Sequence, residues 1–204
     1  MIFRLQPTAM CLAAVFTISC GAHTQCANHA GPMTQVLIIK AAGLTEGQQP
    51  AGVDAITEAT SEGRNVHVIT KALQKTLKHL GIQSEIVRFN DTERLRETAQ
   101  DSTVRLIVFA GPAYSSRFPP QLQNVVPKLQ ETILDHKVVC TSMTSCRFLD
   151  SGGWTVTSFN KELKNLGIQT IDGLAVHHEY EDADWKSKIT AFAETLRQTL
   201  HNEK

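Results

Sequence analysis

The sequence predicts an α/β protein in which one parallel sheet of five strands is covered on both faces by helices, and three observations carry that reading. Compact apolar runs at 36–39, 106–110 and 138–140 lack period-2 alternation, as suits strands buried on both faces. Between them lie segments whose apolar residues recur at spacings of three and four, the signature of helices with one buried face. The two kinds of segment alternate along the chain, which predicts right-handed crossovers and a single sheet. With 204 residues, 42% hydrophobic and 20% charged, the chain is long enough for one domain that buries roughly 70% of its unfolded surface.

The run at 36–39 reads as the first, central strand. Residues 40–63 are rich in Gly, Ala, Thr, Glu and Gln and have no period; a connection of that length signals a functional loop or an insertion. Val66, Ile69, Leu73, Leu77 and Leu80 then predict a helix that Gly81 stops. In 82–89, Ile86 and Phe89 alternate with Glu85 and Arg88, a half-exposed strand at or near a sheet edge. Asn90-Asp91-Thr92 caps a short helix over 95–99. The third strand, 106–110, breaks at Gly111-Pro112 into a loop holding Tyr114. After Pro119-Pro120, one helix face carries Leu122, Val125, Val126, Leu129 and Ile133. The fourth strand, 138–140, leads into a polar loop over 141–153. Val156, Phe159, Leu163 and Leu166 form the next helix face, stopped by Gly167, and Ile171 with 174–176 gives the fifth strand. Trp185, Ile189, Phe192, Leu196 and Leu200 share one face of the last helix. Leu80-Gly81-Ile82-Gln83 returns as Leu166-Gly167-Ile168-Gln169, one joint used twice where a helix hands over to a strand.

Lys plus Arg and Asp plus Glu balance at 20 each, so no field draws the chain to nucleic acid or to an anionic membrane. The first 32 residues differ from the rest. Arg4 precedes an apolar stretch over 10–18 and then Cys20-Gly21-Ala22, the outline of a signal peptide. The stretch is too short for a transmembrane span, which needs about 20 residues. Thr17-Ile18-Ser19-Cys20 loosely resembles a bacterial lipoprotein cleavage box with Cys20 as the lipid-bearing residue, although Thr17 stands where Leu is usual. Two readings stay open: an exported protein, periplasmic or secreted, with a possible lipid anchor at Cys20; or a cytoplasmic one in which 1–32 is a disordered leader and translation begins at Met33. Either way the expected domain is 33–204.

Gly111-Pro112-Ala113-Tyr114, followed by Pro119-Pro120 and Leu122, resembles the third strand and following loop of flavodoxin-like proteins, and the order of elements agrees from Met33 onward. The resemblance implies a three-layer sandwich with strand order 2-1-3-4-5 and a ligand crevice at the carboxyl ends of strands one and three. It also implies FMN, with the loop against the isoalloxazine ring. The chain departs from electron-shuttling flavodoxins in its neutral charge balance, since those tend to be acidic.

An FMN phosphate would sit at the N-terminus of the first helix, where free N–H groups and the helix dipole favour an anion. Thr60, Ser61, Gly63, Arg64 and Asn65 stand there and loosely resemble the phosphate loop of flavodoxins. Arg64 in a first helical turn is unfavourable by roughly 0.3 to 1 kcal/mol unless an anion is near, whereas Glu62 would repel a phosphate. The other reading is a solvated loop whose Thr and Ser cap the helix. The ring would fall to Gly111, Pro112, Ala113 and Tyr114, and to Thr141, Ser142 and Trp154 of the loop after the fourth strand. One aromatic contact adds only about 0.5 to 1.5 kcal/mol beyond buried area, so many modest contacts must sum. Trp154 alternatively staples a helix start.

Cys140 and Cys146 have two readings, a disulfide in an oxidising compartment or two unrelated thiols. Cys140 as a nucleophile lacks the small neighbours a strained elbow wants. His177, His178 and Glu179 alternate in direction on an extended segment and cannot easily share a metal ion. His67 and His79 read as surface residues. No Walker loop, Rossmann fingerprint, zinc-spaced set or Gly-flanked Ser is present. The function expected is FMN-dependent electron transfer, or NAD(P)H-dependent reduction of a small acceptor such as a quinone, with a small-molecule or protein redox partner. The alternatives are a flavodoxin-like domain that binds partners without cofactor, and a hydrolase or thiol enzyme on the same scaffold. Nothing in the sequence fixes the oligomeric state.

Overall fold

Five strands, β1 (Val36–Lys40), β2 (Ser84–Arg88), β3 (Leu106–Pro112), β4 (Val139–Ser145) and β5 (Leu174–Val176), form one sheet in the order β2-β1-β3-β4-β5. Every pairing is parallel, with Val36 opposite both Ser84 and Leu106, and Leu106 opposite Val139. The connecting elements are α1 (Ser61–His79), α2 (Thr92–Gln100), α3 (Pro120–Gln123), α4 (Val126–Asp135), α5 (Leu149–Asn165) and α6 (Trp185–Asn202). This computed structural model describes residues 34–41, 61–113, 116–146, 149–177 and 184–202, with backbone alone at 61–64 and 149–150. All of these lie in the unit Gly31–Lys204. The leader expected over 1–32 and most of the 40–63 connection fall outside the described residues. Among the described residues no helix is long and apolar enough to cross a membrane.

Alternation along β1 divides the core. Val36 and Ile38 join Val66, Ile69, Leu73 and Leu77 of α1 and Ile189, Phe192, Leu196 and Leu200 of α6. Leu37 and Ile39 face the other way, into Leu95 of α2, Leu129 and Ile133 of α4, and Phe159 and Leu163 of α5. Each fully buried Leu or Ile contributes about 1.5 to 3 kcal/mol, so these two apolar layers, more than helix propensity, hold the helices in place. Half-buried positions fall on the two edge strands, β2 and β5, and the mixed composition of β2 reflects them. Asp91 caps α2, its Oδ1 accepting from the Arg94 N–H at 3.4 Å. Gly81 and Gly167 adopt φ of +77° and +80° at the two matching joints, a left-handed backbone conformation that residues with a Cβ rarely take.

The structure corrects four boundaries. The helix expected after Pro119-Pro120 is two, because Pro127 has no N–H to continue the ladder from α3 and instead occupies the first turn of α4. β3 does not break at Gly111-Pro112 but runs through both. β4 continues to Ser145, so the polar segment expected as a loop is a fully buried strand. α5 accordingly begins at Leu149 and takes Gly152, Gly153 and Trp154 into the helix.

Candidate functional site

The carboxyl ends of β1 and β3 separate at a defined point. The Ala41 N–H donates to the Ala110 carbonyl at 2.8 Å. In a parallel ladder the next bond would run from the N–H of residue 112 back to Ala41, and Pro112 has none. The β1–β3 ladder therefore ends here while β3 continues along β4, Pro112 pairing with Ser145. The strand order reverses between β1 and β3, so the switch point of the sheet, the usual place of a ligand in such folds, lies here.

Gly111 closes the floor. A Cβ on it would meet Phe118 Cδ1 at 2.9 Å and Leu122 Cδ2 at 3.2 Å, so only glycine lets the segment after β3 fold back this closely. That segment is pinned by Phe118, whose ring stands edge-on to Phe159 at 4.9 Å, with Phe109 on the other side of Phe159 at 5.3 Å. Ser116 sits at φ 64°, and its hydroxyl lies 3.4 Å from that of Ser151 in α5. The turn after β3 is thereby held against the start of α5.

Lys40 ends β1 on its α1 side and is only 4% exposed, with its Nζ 3.1 Å from Nδ1 of His67. Burial, with Arg88 and Lys71 nearby, lowers its pKa to about 8. Burial and the neighbouring Lys40 and Lys71 likewise hold His67 below the ordinary imidazole value. His67 is thus no simple surface residue, contrary to expectation. The signal that could have found the pair is a lone lysine closing an otherwise wholly apolar strand.

The expected site residues divide. Gly111 and Pro112 end β3 and Ala113 follows at the switch point, where the Ala113 N–H donates to the Ser145 carbonyl at 3.4 Å. Asn65 lies in the second turn of α1, half-buried. Ser61, Gly63 and Arg64 have backbone in the first turn of α1, but their side chains, and all of Thr60 and Tyr114, lie outside the described residues. Thr141 and Ser142 are not loop residues. Thr141 Oγ1 donates to the Asp172 carbonyl at 2.9 Å, and Ser142 Oγ donates to Asn160 Oδ1 at 2.8 Å, both from a fully buried strand. They hold β4 to its neighbours and face no crevice. Trp154 is on the second turn of α5 and is 71% exposed.

The cysteines do not pair. With β4 extended through Ser145, Cys146 stands six residues beyond Cys140, about 20 Å at the strand rise, and both thiols are free and buried. Burial pushes the Cys140 thiol far above its ordinary value, which removes it as a nucleophile. Cys146 is also raised by burial, an effect that a hydrogen bond from the Gly152 backbone partly offsets. Gly152 brings α5 so close that a Cβ there would collide with Cys146 Sγ. His178 and Glu179 lie outside the described residues.

No protein-family model matches the chain, and no curated protein sequence matches it. Solved structures do. A flavodoxin of Fusobacterium nucleatum bound to flavin mononucleotide superposes with a TM-score of 0.56 at 10% identity, covering 82% of this chain and 99% of that one. A short-chain flavodoxin associated with a bacterial microcompartment gives 0.53 at 16% identity, with 82% and 98% covered. The rubredoxin:oxygen oxidoreductase of Desulfovibrio gigas gives 0.56 at 10% identity, where this chain covers 38% of the other's length. The strand order, the layers and these superpositions agree: the chain has the flavodoxin-like fold.

Proposed function

We propose that this protein binds FMN in the crevice between β1 and β3 and works in electron transfer or in NAD(P)H-dependent reduction of a small acceptor such as a quinone. The observation that carries the reading is the end of the β1–β3 ladder at Ala41 and Pro112, which opens the switch point of the sheet beside the N-terminus of α1. The donor set there suits a phosphate: backbone N–H groups of the first turn of α1, and the amine of Lys40 one strand-end away. The similar flavodoxin bound to flavin mononucleotide supports the same ligand. When bound, the flavin would supply the one- or two-electron chemistry. The chain would orient it with Gly111 to Ala113 on one side, while the Phe118–Phe159 contact holds the adjoining segment against the domain.

A second reading, a flavodoxin-like domain that binds partners without cofactor, is favoured by one finding. Thr141 and Ser142 are spent inside the sheet, and the ring site loses two of its expected contacts. The visible absorption spectrum of the purified protein, before and after incubation with FMN and desalting, decides between them. A retained flavin spectrum is expected; absence of retained colour together with no binding in titration removes the FMN reading.

A further inference from the structure

We propose that the groove between the second half of α1 and the start of β2 docks an extended, acidic segment of another protein. The groove runs toward the amino-terminal end of the sheet, and the proposal stands or falls independently of the flavin reading.

From Gly63 to Ser84 the chain carries no acidic residue. Within that span Lys71, Lys75 and Lys78 follow one another at spacings of four and three on α1, which sets them side by side on one face, and all three are exposed. Like charges at such spacings destabilise a helix by about 0.2 to 0.5 kcal/mol per pair. The helix dipole offsets this for Lys78 in the last turn, but not for Lys71 or Lys75. Carboxylates do not offset it either. Among the described residues none forms an ion pair with any of the three, and Lys71 Nζ donates to the neutral Gln74 Oε1 at 3.3 Å. The next acid along the chain, Glu85, alternates with Ile86 and so faces away from α1, where Arg94 of α2 holds it at 2.7 Å.

The lysine stripe is one wall of a groove of about 430 Å³, lined from the other side by Ile82, Gln83 and Ser84. Gln74 ties the two walls together, since its Nε2 donates to the Ser84 carbonyl at 3.1 Å while its Oε1 accepts from Lys71. Lys71 and Lys78 are about 10 Å apart along the helix axis, a distance that about three residues of extended chain also span. Alternate side chains of such a chain stand about 6.6 Å apart, close to the about 5 to 6 Å between neighbours on the stripe. Carboxylates at alternate positions therefore meet successive lysines.

Other polyanions fit less well. The groove has no aromatic side chain on which a nucleic-acid base could stack. Its one apolar lining residue, Ile82, is buried in the core, so the groove offers no apolar face to a bilayer. Because basic and acidic residues balance over the whole chain, the attraction is local and acts within a Debye length, about 10 Å at 0.1 M salt. That is the reach of a short segment.

The probe is a fluorescently labelled synthetic peptide of alternating Glu and Ser, titrated with the full chain and followed by anisotropy, with a Gln-Ser peptide of equal length as control. The Glu-Ser peptide should bind, with an affinity that falls at least tenfold between about 20 and about 200 mM salt, and the Gln-Ser peptide should not. Combining Lys71→Gln, Lys75→Gln and Lys78→Gln should weaken binding at least tenfold. Glutamine has nearly the helix propensity of lysine, so the far-UV circular dichroism of that variant should match wild type. Lys75→Glu with Lys78→Glu should lose the Glu-Ser peptide and gain a Lys-Ser peptide, a swap that damage to the fold cannot produce. Single-stranded oligothymidylate and vesicles of phosphatidylserine with phosphatidylcholine are measured in parallel. Tighter binding of either than of the peptide, with the same dependence on the three lysines, overturns the assignment to an acidic protein segment. No binding of the Glu-Ser peptide at low salt, or equal affinity in wild type and the triple variant, overturns it as well.

Discussion

Lys40 couples burial to pH in a direction that can be measured without any ligand. Folded, it titrates near 8; an ordinary lysine titrates at 10.5. Between those values the unfolded chain holds a proton that the folded one has released, so stability rises with pH from about 8 to 10.5, and the penalty is present in full below 8. In phosphate-free buffer Lys40→Met should therefore raise stability at pH 7. A tenfold change in proton affinity is worth about 1.4 kcal/mol, and solvent screening reduces what is realised, so the gain is on the order of 1 to 2 kcal/mol. It should vanish near pH 10.5. Urea unfolding at the two pH values checks this, and a Lys40→Met variant less stable at both would show that the amine is compensated. His67 works at the acid end. Its lowered pKa makes the folded state the poorer proton binder below about 6.5, so stability falls as pH drops through that range.

A second residue-scale prediction concerns Gly152. The Cβ of an alanine would lie within collision distance of Cys146 Sγ and 3.0 Å from Ala175 Cβ. Gly152→Ala should cost about 1 to 3 kcal/mol by overpacking. Adding Cys146→Ala removes the sulfur that is struck, so the double variant should recover part of the loss in thermal unfolding. No recovery would place the strain in the helix backbone instead.

At the scale of elements, one amide joins α5 to two parts of the sheet. Asn160 Oδ1 accepts from Ser142 Oγ at 2.8 Å, and its Nδ2 donates to the Ile171 carbonyl at 2.8 Å, which joins β4, α5 and the approach to β5. Each bond contributes only about 1 kcal/mol net, but an orphaned buried partner costs about 1 to 3 kcal/mol. Asn160→Ala should accordingly lose about 2 to 4 kcal/mol by denaturant unfolding, and Ser142→Ala distinctly less. A loss below about 1 kcal/mol for Asn160→Ala would mean that water replaces the amide. The element scale is also where sequence reading had most difficulty. Thr141-Ser142-Met143-Thr144-Ser145 has the composition of a loop, yet every residue is buried. Its hydroxyls find partners on Asp172, Asn160 and Gly111, all distant in the chain, and no local pattern announces such partners. The apolar stripes of α1 and α6 were legible because burial against a sheet imposes the 3.6-residue period directly on the sequence.

For the whole molecule, the parallel sheet with its two apolar layers followed from the alternation of strand and helix runs, whereas the strand order, with its reversal between β1 and β3, followed from the resemblance to flavodoxin-like proteins. The FMN test belongs here, since a flavin held in that crevice engages β1, α1 and the segment after β3 together. It would also stabilise the folded chain by mass action, about 2.7 kcal/mol at a hundredfold excess over Kd. Thermal unfolding with and without FMN is thus a second readout that does not rely on colour.

The sequence by itself determined the fold class, the edge position of β2 and the helix stops at Gly81 and Gly167, because each depends on local period or on what one residue's backbone can do. The tertiary structure alone decided that Thr141 and Ser142 are spent in the sheet, that Trp154 stands on an exposed helix turn, and that Lys40 is buried against His67. Those are matters of which distant residue supplies a partner or withholds one, and the energy of a buried polar group depends on that partner more than on its neighbours in the chain.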